Sequence, residues 1–165
     1  MHNQSKNIIF GLAVAGILVG GVVLLARGGN SLESRSNPSA TLTTSEQHYN
    51  FGRVSMAEGR VSHEFKIKNI SGKTISLDTL STSCMCTEAF FRSSSGVRRG
   101  PFSMPGHGTV PKLKEVLAGG EEAVVEAIFD PSAHGPAGVG PIERSVILES
   151  DDGVLEMHFS AEVIP

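Results

Sequence analysis

From Val154 to Val163 every second residue is apolar: Leu155, Met157, Phe159, Ala161 and Val163. A period of two puts all five side chains on one face of an extended strand and sends the residues between them to the other face. The same alternation recurs upstream. Val61, His63, Phe65 and Ile67 share one parity, while Ser62, Glu64, Lys66 and Lys68 share the other. Thr74–Thr82 carries Ile75, Leu77 and Thr79 on one face, and Glu122–Phe129 aligns Ala123, Val125, Ala127 and Phe129. Glu143–Glu149 completes the set, and Tyr49 and Phe51 before Gly52 mark a first strand. Turn chemistry separates these runs. Asn69-Ile-Ser-Gly72 reads as a turn, Asp130-Pro131 ends a strand, and Asp151-Asp152-Gly153 is a hairpin signal because glycine accepts positive φ. Short strands at regular spacing with no amphipathic helix predict an all-β, immunoglobulin-like β-sandwich, with a small closed barrel as the alternative.

The N-terminal part obeys another rule. Between Ile8 and Ala26 there is no charged residue. A helix over this run would reach about 28 Å, close to the ~30 Å hydrocarbon core of a bilayer, and would satisfy its own backbone hydrogen bonds there. The expected organisation is a short tail (1–7), one N-terminal transmembrane helix (8–27), a flexible linker (28–45) and the sandwich (46–165) with a basic loop insertion at about 89–119. A cleaved signal peptide is the alternative for the apolar run, although such a region typically spans only about 7–15 residues. The flanking charges Lys6, Arg27 and Arg35 are nearly balanced, so the positive-inside rule barely discriminates. The very short tail favours a single-pass membrane protein with its domain on the extracytoplasmic, periplasmic side. Ala13, Gly16 and Gly20 form a small-residue stripe on one helix face, and Gly16–Gly20 is a G-x-x-x-G match through which two copies could pack in lipid. Gly28–Ser45 is rich in Gly, Ser, Asn and Thr and is expected to act as a tether of roughly 20–25 Å reach.

Composition excludes some functions. The formal net charge of −3 gives no global case for nucleic acid binding, and the absence of Trp, with a single Tyr, supplies base-stacking platforms poorly. There is no G-x-S-x-G, no phosphate-binding glycine loop and no H-E-x-x-H. No catalytic residue is expected.

Cys84 and Cys86 are the only cysteines. In an extended strand they would point to one side with Cα atoms about 6.5–7 Å apart, beyond comfortable disulfide geometry. Three readings stay open: a structural pair, a soft-metal site for copper or zinc, and a strained pair that exchanges disulfides. By residue type His63, His107 and Met104 are the candidate additional ligands. His63 also lies on an apolar strand face, where a histidine is usually a hydrogen-bonded residue at the core edge. His158 has the opposite parity to its strand's apolar row and is expected to be solvated. The 89–119 segment carries Arg92, Arg98, Arg99, Lys112 and Lys114, with no acid between Glu88 and Glu115. With Phe102 and Met104 these form a candidate contact surface for an acidic partner or anionic lipid; a solvated loop is the alternative.

Several of these elements together resemble a known family. Tyr49-Asn-Phe-Gly-Arg-Val54 is similar to its opening F-G-x-[IV], and Phe65-Lys-Ile-Lys-Asn69 to its F-x-[FIL]-x-N strand. Ser83-Cys-Met-Cys-Thr87 resembles its S-C-x-C-T signature, and Gly120-Glu121 and Phe129-Asp130 its later G-E and F-D positions. The chain thus resembles domain-of-unknown-function family 1573 over about Gln47 to Val163. The resemblance implies an exported, often membrane- or lipid-anchored β-sandwich and no established activity. The long segment between the S-C-x-C-T and G-E positions departs from the family pattern. The function these features favour is a membrane-anchored binding or scaffolding module for an unknown protein partner, with strand addition at a sheet edge as one route. The alternative is a soft-metal or thiol-redox module built on Cys84 and Cys86.

Overall fold

The computed structural model describes residues 38, 39, 41–106 and 112–165. The tail, the expected transmembrane helix with Ala13, Gly16 and Gly20, most of the linker, and His107 lie outside the described residues. Among the described residues no helix is long and apolar enough to cross a membrane.

The described residues form ten strands in two five-stranded sheets. They are β1 (Leu42–Thr44), β2 (His48–Ser55), β3 (Val61–Asn69), β4 (Ile75–Thr82) and β5 (Thr87–Arg92), followed by β6 (Arg98–Phe102), β7 (Lys112–Leu117), β8 (Glu122–Phe129), β9 (Gly140–Ser150) and β10 (Gly153–Ile164). One sheet runs β1-β3-β8-β5-β6 and the other β2-β10-β9-β4-β7. All neighbours are antiparallel except β2 and β10. Among the described residues there is no α-helix, only two single-turn 3₁₀ segments, Met56–Glu58 and Gly135–Gly138. The all-β sandwich expected from the period-two pattern is what the chain forms.

The alternating rows meet between the sheets. Phe65, Ile67, Val125, Ala127 and Phe129 from one sheet, and Val146, Leu148, Met157 and Phe159 from the other, are almost wholly buried. Burial of this kind stabilises by about 25 cal/mol per Å² of apolar surface, so the rows set the register of each strand. Two irregularities bend the pattern. In β4 the pairing shifts between Leu77 and Thr79, a bulge that reverses parity. Leu80 therefore takes the core position expected of Thr79, whose hydroxyl instead donates to the Glu149 carboxylate at 2.8 Å. In β2 the pairing with β10 slips beside Gly52, which has φ +69° and whose N–H donates to Asn50 Oδ1 at 2.8 Å. Glycine tolerates that conformation without strain, which gives the F-G motif a physical reason.

Two boundaries differ from expectation. The sandwich begins at β1, inside the expected linker, because Ser39 and Thr41 find partners. The hydroxyls of both residues and the Thr41 N–H donate to Asp152 Oδ2 at 2.6–2.9 Å, and Pro38 forms a parallel bridge with Val154. The expected basic loop contains strand among its described residues: β6 pairs with the outer side of β5, and β7 with β4.

Asn69 closes the F-x-I-x-N strand and is fully buried. Its amide donates to the Lys73 and Leu117 carbonyls at 2.7 and 2.9 Å, and its Oδ1 accepts from the Ser71 N–H and hydroxyl. One side chain thus ties two loops at that end of the sandwich. Asn69→Asp keeps the shape but removes both donors and sets a carboxylate against two carbonyls. It should lower the unfolding free energy by roughly 2–3 kcal/mol, measured by urea unfolding at neutral pH.

Candidate functional site

At the other end of the sandwich, where β3 starts and β8 stops, lies the cysteine turn. Ser83 to Cys86 is a bend and turn rather than strand, closed by the Thr87 N–H donating to the Cys84 carbonyl at 3.1 Å. This corrects the extended geometry expected of the pair. The Cα atoms are 5.3 Å apart, within ordinary disulfide range, and the two sulfurs are bonded to each other. Every residue of the signature has a task. Ser83 pins the turn to β9, its N–H donating to the Ser145 carbonyl and its hydroxyl accepting from the Ser145 N–H. The buried Thr82 hydroxyl reaches the carbonyls of Cys84 and Thr87, both at 3.0 Å. Thr87 begins β5 fully buried opposite Phe129. Met85, at the apex between the cysteines, is 53% exposed.

A second turn packs against the first. The Asp130 N–H donates to the Cys86 carbonyl at 2.9 Å. Asp130 Oδ1 then accepts from the Ser132 N–H and hydroxyl at 2.9 and 2.6 Å, an Asx-type turn. That turn carries His134, whose Nε2 lies 3.2 Å from Cys84 Sγ. Gly138 lets the following 3₁₀ turn lie close, because a Cβ there would sit 3.2 Å from that of His134. From β9, Arg144 directs its Nε to Cys86 Sγ at 3.4 Å. The two cysteines are nearly buried, Cys84 at 9% exposure and Cys86 at 2%, whereas His134 is exposed. A shallow groove of about 430 Å³ runs between the 134–139 turn and the start of β9. A larger open concavity, about 620 Å³, lies toward the Asn69 end between Thr41, the 71–75 loop and the β9–β10 turn. There Asp152 accepts from Ser39 and Thr41 and Asp151 from the Ser76 N–H, so both acids hold the fold together.

This arrangement assigns a histidine that sequence spacing did not reveal. Cys84, Cys86 and His134 place their ligand atoms within 4.8 Å of one another. His63 is elsewhere: it stacks on Tyr49 with ring centroids 3.6 Å apart and bonds Glu46 at 2.9 Å, the core-edge role that its parity suggests. Met104 is half-buried past the end of β6, and the side chain that stands against Cys84 at hydrogen-bond distance is His134. His158, expected in solvent, is half-buried and bonded to the Ser145 hydroxyl at 3.0 Å. The Arg144 guanidinium beside Cys86 favours thiolate over thiol once the bridge is opened. The turn can therefore exchange disulfides or hold a thiophilic metal.

The expected basic contact surface is differently built. Arg92 pairs with Glu64 at 2.7 Å, Arg98 with Glu126 at 2.9 Å and Arg99 with Glu115 at 2.7 Å. Arg98 also covers the Phe90 ring, and Phe102 is 3% exposed, a core residue. Two of these acids come from β3 and β8, outside the segment, and the third, Glu115, from β7 near its end. Lys112 and Lys114 are exposed on the edge strand β7.

Fold and site together define an all-β two-sheet sandwich with a bridged C-x-C turn at one end. Over residues 42–99 the chain matches the family model described as "Protein of unknown function (DUF1573)", the family its motifs resemble. No curated protein matches it. Among solved structures it is similar to a protein of unknown function from Porphyromonas gingivalis W83. That likeness has a TM-score of 0.54 at 10% identity and covers 81% of this chain and 51% of that one. The chain thus spans about half the length of that protein. Two further similar structures are the PapD-like domain 7 of human CEP192 (TM-score 0.46, 14% identity, 78% of this chain and 89% of that one) and the CooA pilin subunit of enterotoxigenic Escherichia coli (0.43, 11%, 78% and 100%).

Asp130 sets the turn that carries His134. The Ser132 hydroxyl and N–H and the nearby Arg60 guanidinium hold its carboxyl below the usual carboxylate range. A depressed carboxylate contributes stability that is complete above the unfolded value near pH 4 and is lost as pH falls through the folded value. Asp130→Asn keeps the acceptor oxygen and removes the charge. It should lower the thermal midpoint at neutral pH, and the difference from the parent should vanish as the pH drops below 4.

Proposed function

We propose that this chain is a membrane-anchored, extracytoplasmic immunoglobulin-like binding or scaffolding module whose working surface is the Cys84–Cys86 end of the sandwich. The observation that carries this reading is the exposed Met85 apex on a turn anchored at Ser83, Thr82 and Asp130. A rigid turn with an exposed flexible apolar tip suits recognition of a protein surface. The interior supports a surface role as well, since its facing rows are packed against one another and leave the concavities outside. Strand addition is the less suitable route. β1 has three residues, β2 carries the Gly52 bulge, β6 contains Pro101 and two arginines, and β7 presents lysines with Lys114 at φ +51°. These are devices that discourage edge pairing.

The export reading draws support from the bridge, because disulfides persist in oxidising compartments. The 8–27 helix would then hold the chain in the membrane, and the Ala13, Gly16 and Gly20 stripe would let two copies associate. The partner is a protein not yet identified. A photo-crosslinking residue at Met85 in the full-length chain, in native membranes, should give a discrete adduct, and one at exposed Lys66 should give none. Adducts from Lys66 alone would place the working surface on the outer face of the first sheet. Protease added outside the cytoplasmic membrane should remove the domain; protection would reverse the topology.

Thiol–disulfide exchange is a second reading, favoured by the contacts of His134 and Arg144 with the sulfurs. Equilibration with glutathione buffers decides it. A pair that titrates within the buffer range exchanges, whereas one that stays oxidised throughout serves only to hold the turn.

A further inference from the structure

We propose that, once the bridge is reduced, Cys84, Cys86 and His134 form a three-coordinate site for one monovalent soft cation, copper(I), with Arg144 balancing its charge. The inference requires a reducible bridge and is independent of the partner reading above.

The donor set is already assembled. The three ligand atoms lie within 4.8 Å of one another, and His134 Nε2 is 3.2 Å from Cys84 Sγ. Metal–sulfur and metal–nitrogen bonds of about 2.3 and 2.0–2.1 Å would place neighbouring donors roughly 4 Å apart. The two sulfurs need only part, by rotation about the cysteine side chains, while the turn stays tied through Ser83 and Asp130. Exposed His134, beside the groove, gives the ion a way in.

Charge selects the ion. Two thiolates and copper(I) sum to −1, and the Arg144 guanidinium beside Cys86 brings the site to neutrality. Two thiolates with zinc(II) are already neutral, so Arg144 would leave an uncompensated positive charge. Zinc also prefers four ligands, and among the described residues the cluster of Cys, His and acidic groups offers three. Thiolate ligands favour copper(I) in any case.

The chemistry balances in two steps. A dithiol reductant gives two electrons and two protons to the Cys84–Cys86 bond, yielding two thiols, and itself becomes a disulfide. The ion then displaces both thiol protons to solvent and accepts the Nε2 lone pair of His134, whose Nδ1 keeps its proton.

The test uses the full-length chain in detergent, reduced under anaerobic conditions and titrated with copper(I) against a chromogenic chelator. One equivalent should bind, with an ultraviolet thiolate-to-copper charge-transfer band. His134→Ala, a change at an exposed position, should weaken binding by at least about 100-fold, and Arg144→Met by about 10-fold, with Arg144→Lys restoring most of it. Circular dichroism checks that each variant is folded. The proposal is overturned by an unchanged affinity in folded His134→Ala, by no copper(I) bound to a chain with two titratable thiols, or by tighter zinc than copper(I) binding in a parallel titration. A chain that shows no free thiols after reductant treatment also overturns it, and the thiol count separates that failure from a lack of affinity.

Discussion

Strand β8 is the constraint on which the rest depends. It lies between β3 and β5, and its register brings Val61 and Thr87 together at Phe129. Val125, Ala127 and Phe129 are buried between the sheets, so a slip of one residue would turn the whole row outward. The same register sets where the strand stops. Asp130 then meets the Cys86 carbonyl, and the turn that follows brings His134 to Cys84 across a gap of fifty residues in sequence. The chemistry of the cysteine turn therefore rests on hydrophobic burial some distance away.

Much of the fold was legible in the sequence because half-buried strands write their burial as alternation. The rows of β3, β8 and β10 read correctly, His63 included. Thr79 did not, since a bulge changes parity with no mark in the sequence beyond a polar pair. β6 was illegible for a different reason: Arg-Arg-Gly-Pro-Phe has four exposed residues and no alternation, and it is strand only because β5 offers an edge. His134 stands in a Ser-Ala-His-Gly-Pro stretch with no ligand spacing to the cysteines. Its place comes from the closing of two turns, which is tertiary information. The cysteines were identified, but their conformation was not, because the assumption of a strand gave too long a separation.

Charge shows the same division between local and tertiary information. Read along the chain, the arginines from 92 to 99 form a basic block. In space they lie beside Glu64 of β3, Glu126 of β8 and Glu115 of β7, so the surface alternates in sign. Exposed pairs of this kind contribute little stability each. Their larger effect is to remove a cationic patch from a face that would otherwise attract anions indiscriminately.

The entry of the chain has a mechanical meaning. Pro38 bridges to β10, Ser39 and Thr41 hold Asp152 in the β9–β10 turn, and β1 then pairs with β3 in the opposite sheet. Any pull arriving from the N-terminal side meets this clasp before it reaches the core. Several hydrogen bonds share the load across both sheets, and the cysteine turn, at the far end of the sandwich, is shielded from it.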